Sequence, residues 1–323
     1  MDGALPSRHG HCERRLVIGL VNNMAGAAMA SSYEHFAASL ADTGRDFELR
    51  RLTLRHAGET PSGCVAVDDL PVEEIDAFIV TGMEPMTPDL RDEALWPRLV
   101  QLHDWCEANF IPVLWSCLSA HAAVLHHGNI TRQPLPMKIS GIFACAAVAP
   151  EHRLLKDMPA CWSCPHSRHN GLNEAKLTAS GYTLLSRAGP AGVDIFTRAD
   201  GIPFFFFQGH PEYRPDTLLR EYIRDARRFI GGDYASPPLV PSGYLEPKIE
   251  HLLSESCEQR RGDALDGTLL TLRAIRAEWR EARRLLFANW LEIAAEHACG
   301  VATMPGIPDD NRNTSNLARE ARA

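Results

Sequence analysis

Two short stretches hold residues able to do covalent acyl chemistry. In LWSCLSAHAAVL, Cys117 stands between a hydrophobic run and an alanine-rich run. In FFFFQGHPEY, His210 and Glu212 follow four consecutive phenylalanines. A thiol, an imidazole and a carboxylate are the parts of a nucleophile, its general base and the group that orients the base. VLWSC followed at once by a helical pattern predicts a strand-turn-helix corner, which exposes the residue at its apex. The helix N-terminus there favours a thiolate, and the same N–H groups can hold an oxyanion. Ser116 and Ser119 are small enough for so tight a turn. Alone, Cys117 reads equally well as a buried core cysteine, and His210 as a structural histidine. Together they read as a Cys-His-Glu triad, because strands of an open α/β sheet deliver such residues to one carboxyl edge.

The elements that must position them alternate. LVIGLV, Leu16 to Val21, reads as a buried parallel strand, and Ala27 to Ala41 as a helix. Strands are expected at Phe47 to Leu54, Asp76 to Gly82 and Ile111 to Cys117. A helix is expected from Leu95 to Asn109 and another over LSAHAAVLHHG. This is the pattern of an α/β fold with a mainly parallel sheet. KISGIFACAAV, YTLLSRA, VDIFTRA and PFFFFQGH then suggest an antiparallel addition. Asp216 to Ile230 reads as an amphipathic helix capped by Asp216, and PPLVPSG, Pro237 to Gly243, as a linker. Leu272, Ile275, Trp279, Ala282, Leu286, Trp290 and Ile293 form an apolar stripe that must pack on something. The expected organisation is a flexible leader over 1–13, a catalytic α/β domain over 14–235, a linker with a packed C-terminal helix over 236–300, and a disordered tail over 301–323.

The whole-chain totals narrow the function classes. The 323 residues are 45% hydrophobic and 23% charged, an ordinary globular balance, and the net charge of -8 offers no basic footprint for nucleic acid. No apolar run spans a bilayer, and MDGALPSRHGHCERR has no secretory core. A cytoplasmic protein is expected, with no membrane partner. Nine cysteines are an odd, scattered set, expected as thiols in a reducing compartment. Cys161 and Cys164 form one C-x-x-C with no second pair at zinc-ribbon spacing. His126 and His127 suit the last turn of a helix better than a metal.

With these motifs in view, the chain resembles the class I glutamine amidotransferase-like (flavodoxin-like) fold, a sheet with helices on both faces, here with a C-terminal helical extension. More narrowly it resembles the homoserine O-succinyltransferase/O-acetyltransferase family. The resemblance rests on IGLVNNM, IVTGMEP, LWP, the Cys117 corner, LPMKISG, PHSRHNGL, QGHPEY, EYIRD and LLFANWL. It implies acyl transfer from an acyl-CoA to L-homoserine through an acyl-thioester on Cys117, as a step toward methionine. His210 would be the general base and Glu212 its orienter. Lys138, Ser167 and Arg224 would bind substrate, the arginine fork suiting a carboxylate. Acyl-CoA, succinyl-CoA or acetyl-CoA, is then a co-substrate, with succinyl favoured. No metal or bound cofactor is implied, and a homodimer is a family expectation.

Departures cluster around the nucleophile. Leu118 and Ser119 stand where the family carries tryptophan and then glycine or alanine, and His121 replaces glutamine. Met86 falls at the position that tunes acyl-CoA choice. Serine as acceptor, a glutamine amidotransferase or glutaminase with the same triad, and a silent fold member binding a partner through its C-terminal helix are the other readings.

Overall fold

In the computed structural model the described residues are 15–69, 74–262, 265 and 277–300. Short, mostly apolar runs become central strands, because a strand covered on both faces needs no alternation. β1 (Leu16–Val21), β4 (Ala77–Val80), β5 (Val113–Ser116) and β10 (Phe204–Phe207) are such strands, flanked on one side by β2 (Phe47–Thr53) and β3 (Val65–Ala66). The antiparallel side holds β6 (Gln133–Ala147), β7 (Cys161–Gly171), β8 (Tyr182–Arg187) and β9 (Val193–Arg198). The sheet order is β3-β2-β1-β4-β5-β10-β9-β8-β6-β7. Pairing is parallel from β3 to β10 and antiparallel from β10 to β7.

Helices cover both faces. α1 (Ala27–Ala41) and α7 (Arg280–Ala298) pack Phe36, Leu40, Leu286, Phe287, Trp290 and Ala294 against Leu16, Ile18 and Leu20. On the other face, α2 (Trp96–Ala108) and α3 (Leu118–Gly128) pack Leu99, Leu102, Ala123 and Val124 against Phe78, Trp115, Phe204 and Phe206. The stripe expected to seek a partner is therefore internal packing from Trp279 to Ile293. Leu272 and Ile275 lie outside the described residues, as do the leader and the tail.

Several local expectations change. The segment 161–171 is strand β7, hidden in the sequence by its polar and proline-containing run CWSCPHSRHNG. The end of the expected linker joins the sheet: Ser242 exchanges backbone hydrogen bonds with Ser140 and Ile142, and Gly141 leaves room for it. A further helix, α6 (Pro247–Glu258), packs Leu253 and Cys257 on α5 (Thr217–Gly231). Asp216 precedes α5 without capping it, because its carboxylate accepts from Arg220 Nε at 2.6 Å instead. Cys64, Cys106, Cys117, Cys145, Cys161, Cys164 and Cys257 are free thiols, whereas Cys299 is disulfide-bonded.

Candidate active site

β5 and β10 are parallel neighbours, with Ser116 paired to Phe207. That register sets the next residues, Cys117 and Gln208, side by side, and the Cys117 N–H donates to Phe207 O at 2.7 Å. Cys117 has φ 53°, a left-handed conformation that a non-glycine residue adopts at a cost of order 1–3 kcal/mol. The strain turns the chain straight from β5 into α3 and leaves Cys117 at the helix N-cap. Ser119 Oγ donates to Val80 O at 2.6 Å and staples that first turn to β4. Gly82, just past β4, lies so close that a Cβ there would sit 3.1 Å from Leu118 N. The first N–H groups of α3 have no intrahelical acceptor. With the 82–83 backbone beside them, they lie where an oxyanion on an acyl-Cys117 would form.

His210 is one short turn past β10, its N–H held by Pro165 O at 2.7 Å. Its Nδ1 is 2.8 Å from Glu212 Oε1, which leaves Nε2 for the sulfur. Burial lowers the His210 pKa, but the charges of Glu212 and Cys117 outweigh it and hold the value well above 6.5. The three triad residues expected from sequence are therefore assembled. Tyr213 stacks on the His210 ring at 4.3 Å between centroids, fixing its plane.

Tyr213 also links the triad to a polar cluster. Its hydroxyl donates to Glu221 Oε1 at 2.6 Å, and Ser167 Oγ donates to Glu221 Oε2 at 2.5 Å. Lys138 Nζ donates to Asp225 Oδ2 at 2.8 Å and lies 4.0 Å from Glu221. Arg224 Nε donates to Asp225 Oδ1 at 2.9 Å, with half of its side chain exposed. Arg224 pairs with Asp225 rather than Glu221, whose two oxygens accept from Tyr213 and Ser167. Lys138, Ser167 and Arg224 thus meet, positioned by two acids one turn apart on α5. Glu221, Asp225 and Tyr213 were missed as site residues. Their signal was the i, i+4 spacing of two acids beside Arg224.

Met86 is not part of this assembly. Its side chain is 84% exposed, while its N–H donates to Glu93 Oε1. Met83, three residues earlier, lines an apolar pocket with Leu54, Trp96, Leu99 and Leu118 beside the nucleophile corner. His121 is buried one turn into α3, and burial pushes its pKa down to about 3, so it is neutral and no competing base. His126 binds Asp104 at 2.6 Å on the far surface.

A strained cysteine corner beside a sheet-edge histidine and its carboxylate defines the class: a glutamine amidotransferase-like α/β enzyme fold. Solved structures agree. A glutamine amidotransferase from Thermotoga maritima matches with TM-score 0.54 at 12% identity, over 88% of this chain and 99% of its own. One from Methylobacillus flagellatus matches with TM-score 0.54 at 16% identity, over 86% and 94%. Within that fold, residues 8–299 match the family model "HTS: Homoserine O-succinyltransferase". A homoserine O-succinyltransferase of Methylorubrum extorquens is 41% identical over 297 residues, 88% of each chain. One of Rhodopseudomonas palustris is 41% identical over 293 residues, 86% of this chain and 88% of its own. The chain belongs to the homoserine O-succinyltransferase family, and is an O-acyltransferase by that membership.

Proposed function

We propose that the protein moves a succinyl group from succinyl-CoA to the hydroxyl of L-homoserine, with Cys117 as the covalent carrier. The observation that supports this most is the joining of a Cys117–His210–Glu212 triad, through Tyr213, to a polar cluster that brings Lys138, Ser167 and Arg224 together. In the first half-reaction the Cys117 thiolate attacks the thioester carbonyl, the Leu118 N–H side holds the oxyanion, and CoA leaves as its thiol with the proton from His210. In the second, His210 takes the homoserine hydroxyl proton as that oxygen attacks the acyl-thioester, and Cys117 departs as thiolate. Acylation also removes the sulfur's negative charge. One of the causes that raise His210 is then gone, and its pKa falls toward the range of a working base.

Arg224 suits the substrate carboxylate and the acids Glu221 and Asp225 suit its ammonium group. Serine is shorter by one methylene, a difference of only ~1–3 kcal/mol in a pocket. Succinyl is the donor named for the relatives at 41% identity. The place of the reaction is the route to methionine, in the cytoplasm. No described helix is long and apolar enough to cross a membrane.

Intact mass after incubation with succinyl-CoA and no acceptor tests the scheme. A succinyl adduct on Cys117 that disappears on adding homoserine is expected. No adduct from succinyl-CoA or acetyl-CoA, together with ammonia release from glutamine, overturns it in favour of a glutaminase.

A further inference from the structure

We propose that Cys145, Cys164, His166 and Asp194 form a structural zinc site directly behind the turn that carries the catalytic base. This departs from the expectation of a metal-free protein and is independent of the acyltransferase reading.

Four groups of metal-ligand chemistry converge here in the core. Each is at most 2% exposed, and their Sγ, imidazole and carboxylate atoms all lie within 4.8 Å of one another. Two thiols, an imidazole and a carboxylate are a donor set for a closed tetrahedral zinc centre, and the soft sulfurs disfavour magnesium or calcium. The strand geometry explains the convergence. Cys164 and His166 are two residues apart on β7 and share a face. Phe143 pairs with Cys164 across the ladder, which places Cys145 diagonally next to it on β6. Asp194 comes from β9. Cys161, the other half of the C-x-x-C, is three residues from Cys164, on the opposite face, and exposed.

The hydrogen bonding points to an ion rather than a self-contained cluster, because it is incomplete. His166 Nε2 and Asp194 Oδ1 stand 3.3 Å apart, yet neither has an aligned hydrogen bond. An unpaired buried donor or acceptor costs about 1–3 kcal/mol, so such atoms normally have a partner. Asp194 Oδ2 is by contrast occupied, accepting from Ser186 Oγ at 2.7 Å. That is the outer hydrogen bond that orients a ligating carboxylate and leaves its other oxygen to the metal. The cluster is also enclosed. A Cβ at Gly209 would fall 2.7 Å from Cys164 Sγ, 2.8 Å from Asp194 Oδ1 and 2.9 Å from His166 Nε2, so the backbone seals this side and only glycine fits. The ligand atoms, within 4.8 Å of one another, need to draw in by about 1 Å to reach the ~3.3–3.8 Å separations of a tetrahedral centre with bonds of roughly 2.0–2.3 Å.

The location gives the site a purpose. Gly209 lies between Gln208 and His210, and the Gln208 N–H donates to Asp194 O at 2.8 Å. The His210 N–H donates to Pro165 O, between the ligands Cys164 and His166. Zinc held by β6, β7 and β9 would therefore lock the backbone on both sides of the catalytic histidine. Binding releases the two thiol protons and converts three loosely satisfied strands into one cross-linked unit.

Elemental analysis of the full-length protein, purified without chelator, is expected to find about one zinc per chain, as a closed four-ligand site requires. Replacement by Co²⁺ is expected to produce thiolate-to-cobalt charge-transfer and tetrahedral d–d absorption. Cys145→Ala and Cys164→Ala should lose the metal and the spectrum. Cys161→Ala and Cys117→Ala should keep both, which separates this site from the exposed thiol and from the nucleophile. Should the core variants fail to fold, zinc content and the cobalt spectrum of the unmodified protein still decide. Sub-stoichiometric zinc with no thiolate band overturns the proposal, as does recovery of a Cys145–Cys164 disulfide from unreduced protein.

Discussion

At the scale of single residues, the site depends on charge placed where water is scarce. On the proposed mechanism, replacing His210 with alanine removes the base for both half-reactions, and turnover is expected to fall about 10²–10⁴-fold in a steady-state assay, the usual contribution of a positioned proton carrier. Cys117→Ala should show no mass gain from succinyl-CoA at all. The His210 pKa is raised above the ordinary histidine value of about 6.5, with Glu212 a main cause after burial is overcome. The stabilisation from that pair is therefore fully present below about pH 6.5 and is lost as pH rises through the raised value. Glu212→Gln is expected to lower the melting temperature most at pH 6 and least at strongly alkaline pH. An equal loss across the range would show that the pair does not carry charge. Asp225→Asn removes the negative charge, and one of the two carboxylate oxygens, that hold Lys138 and Arg224. A rise of about tenfold in the KM for homoserine, ~1.4 kcal/mol, is the expected result, with acylation of Cys117 by succinyl-CoA unchanged.

At the scale of elements, β5-α3 and β10 matter through register. Parallel pairing of Ser116 with Phe207 brings two separate sequence motifs to one corner of the sheet. Gly141 has a comparable role at the edge. A Cβ there would lie 2.3 Å from Ser242 O, and φ is 150°. Gly141→Ala should therefore detach the segment at 242 from β6 and destabilise the protein by about 1–3 kcal/mol in chemical unfolding, the typical cost of overpacking. β6 and β7 carry Lys138 and Ser167, so this edge also sets the position of the substrate cluster.

For the whole molecule, α7 is a structural part of the catalytic body. Trp290 is fully buried against the sheet, and Asn289 Nδ2 donates to Leu154 O and Lys156 O. Trp279 Nε1 donates to Tyr213 O at 3.1 Å, so the entry to α7 touches the residue stacked on His210. Trp290→Ala should cost about 3–5 kcal/mol in unfolding free energy. A cost near zero would mean that α7 packs elsewhere in solution.

Much of this was legible in the chain itself. Apolar runs such as LVIGLV, DAFIVTG and VLWSC need burial on both faces, which leaves few choices besides central parallel strands. Cys117, His210 and Glu212 could be assigned because strand ends in such a sheet share one edge. Distances along the chain could not show which acid holds which base. Glu221 and Asp225 are equivalent on a helix wheel, and only the approach of β6 and β7 gives one to Ser167 and Tyr213 and the other to Lys138 and Arg224. CWSC read as a pair from spacing, but the two-residue period of β7 sends Cys161 and Cys164 to opposite faces. The ladder register then gives Cys164 a different neighbour, Cys145, with His166 and Asp194 beside it. Residue type and local period therefore determined the sheet and singled out Cys117, His210 and Glu212 as candidates. Side-chain partnership across strands was decided by the tertiary structure, because it depends on register and on which faces meet.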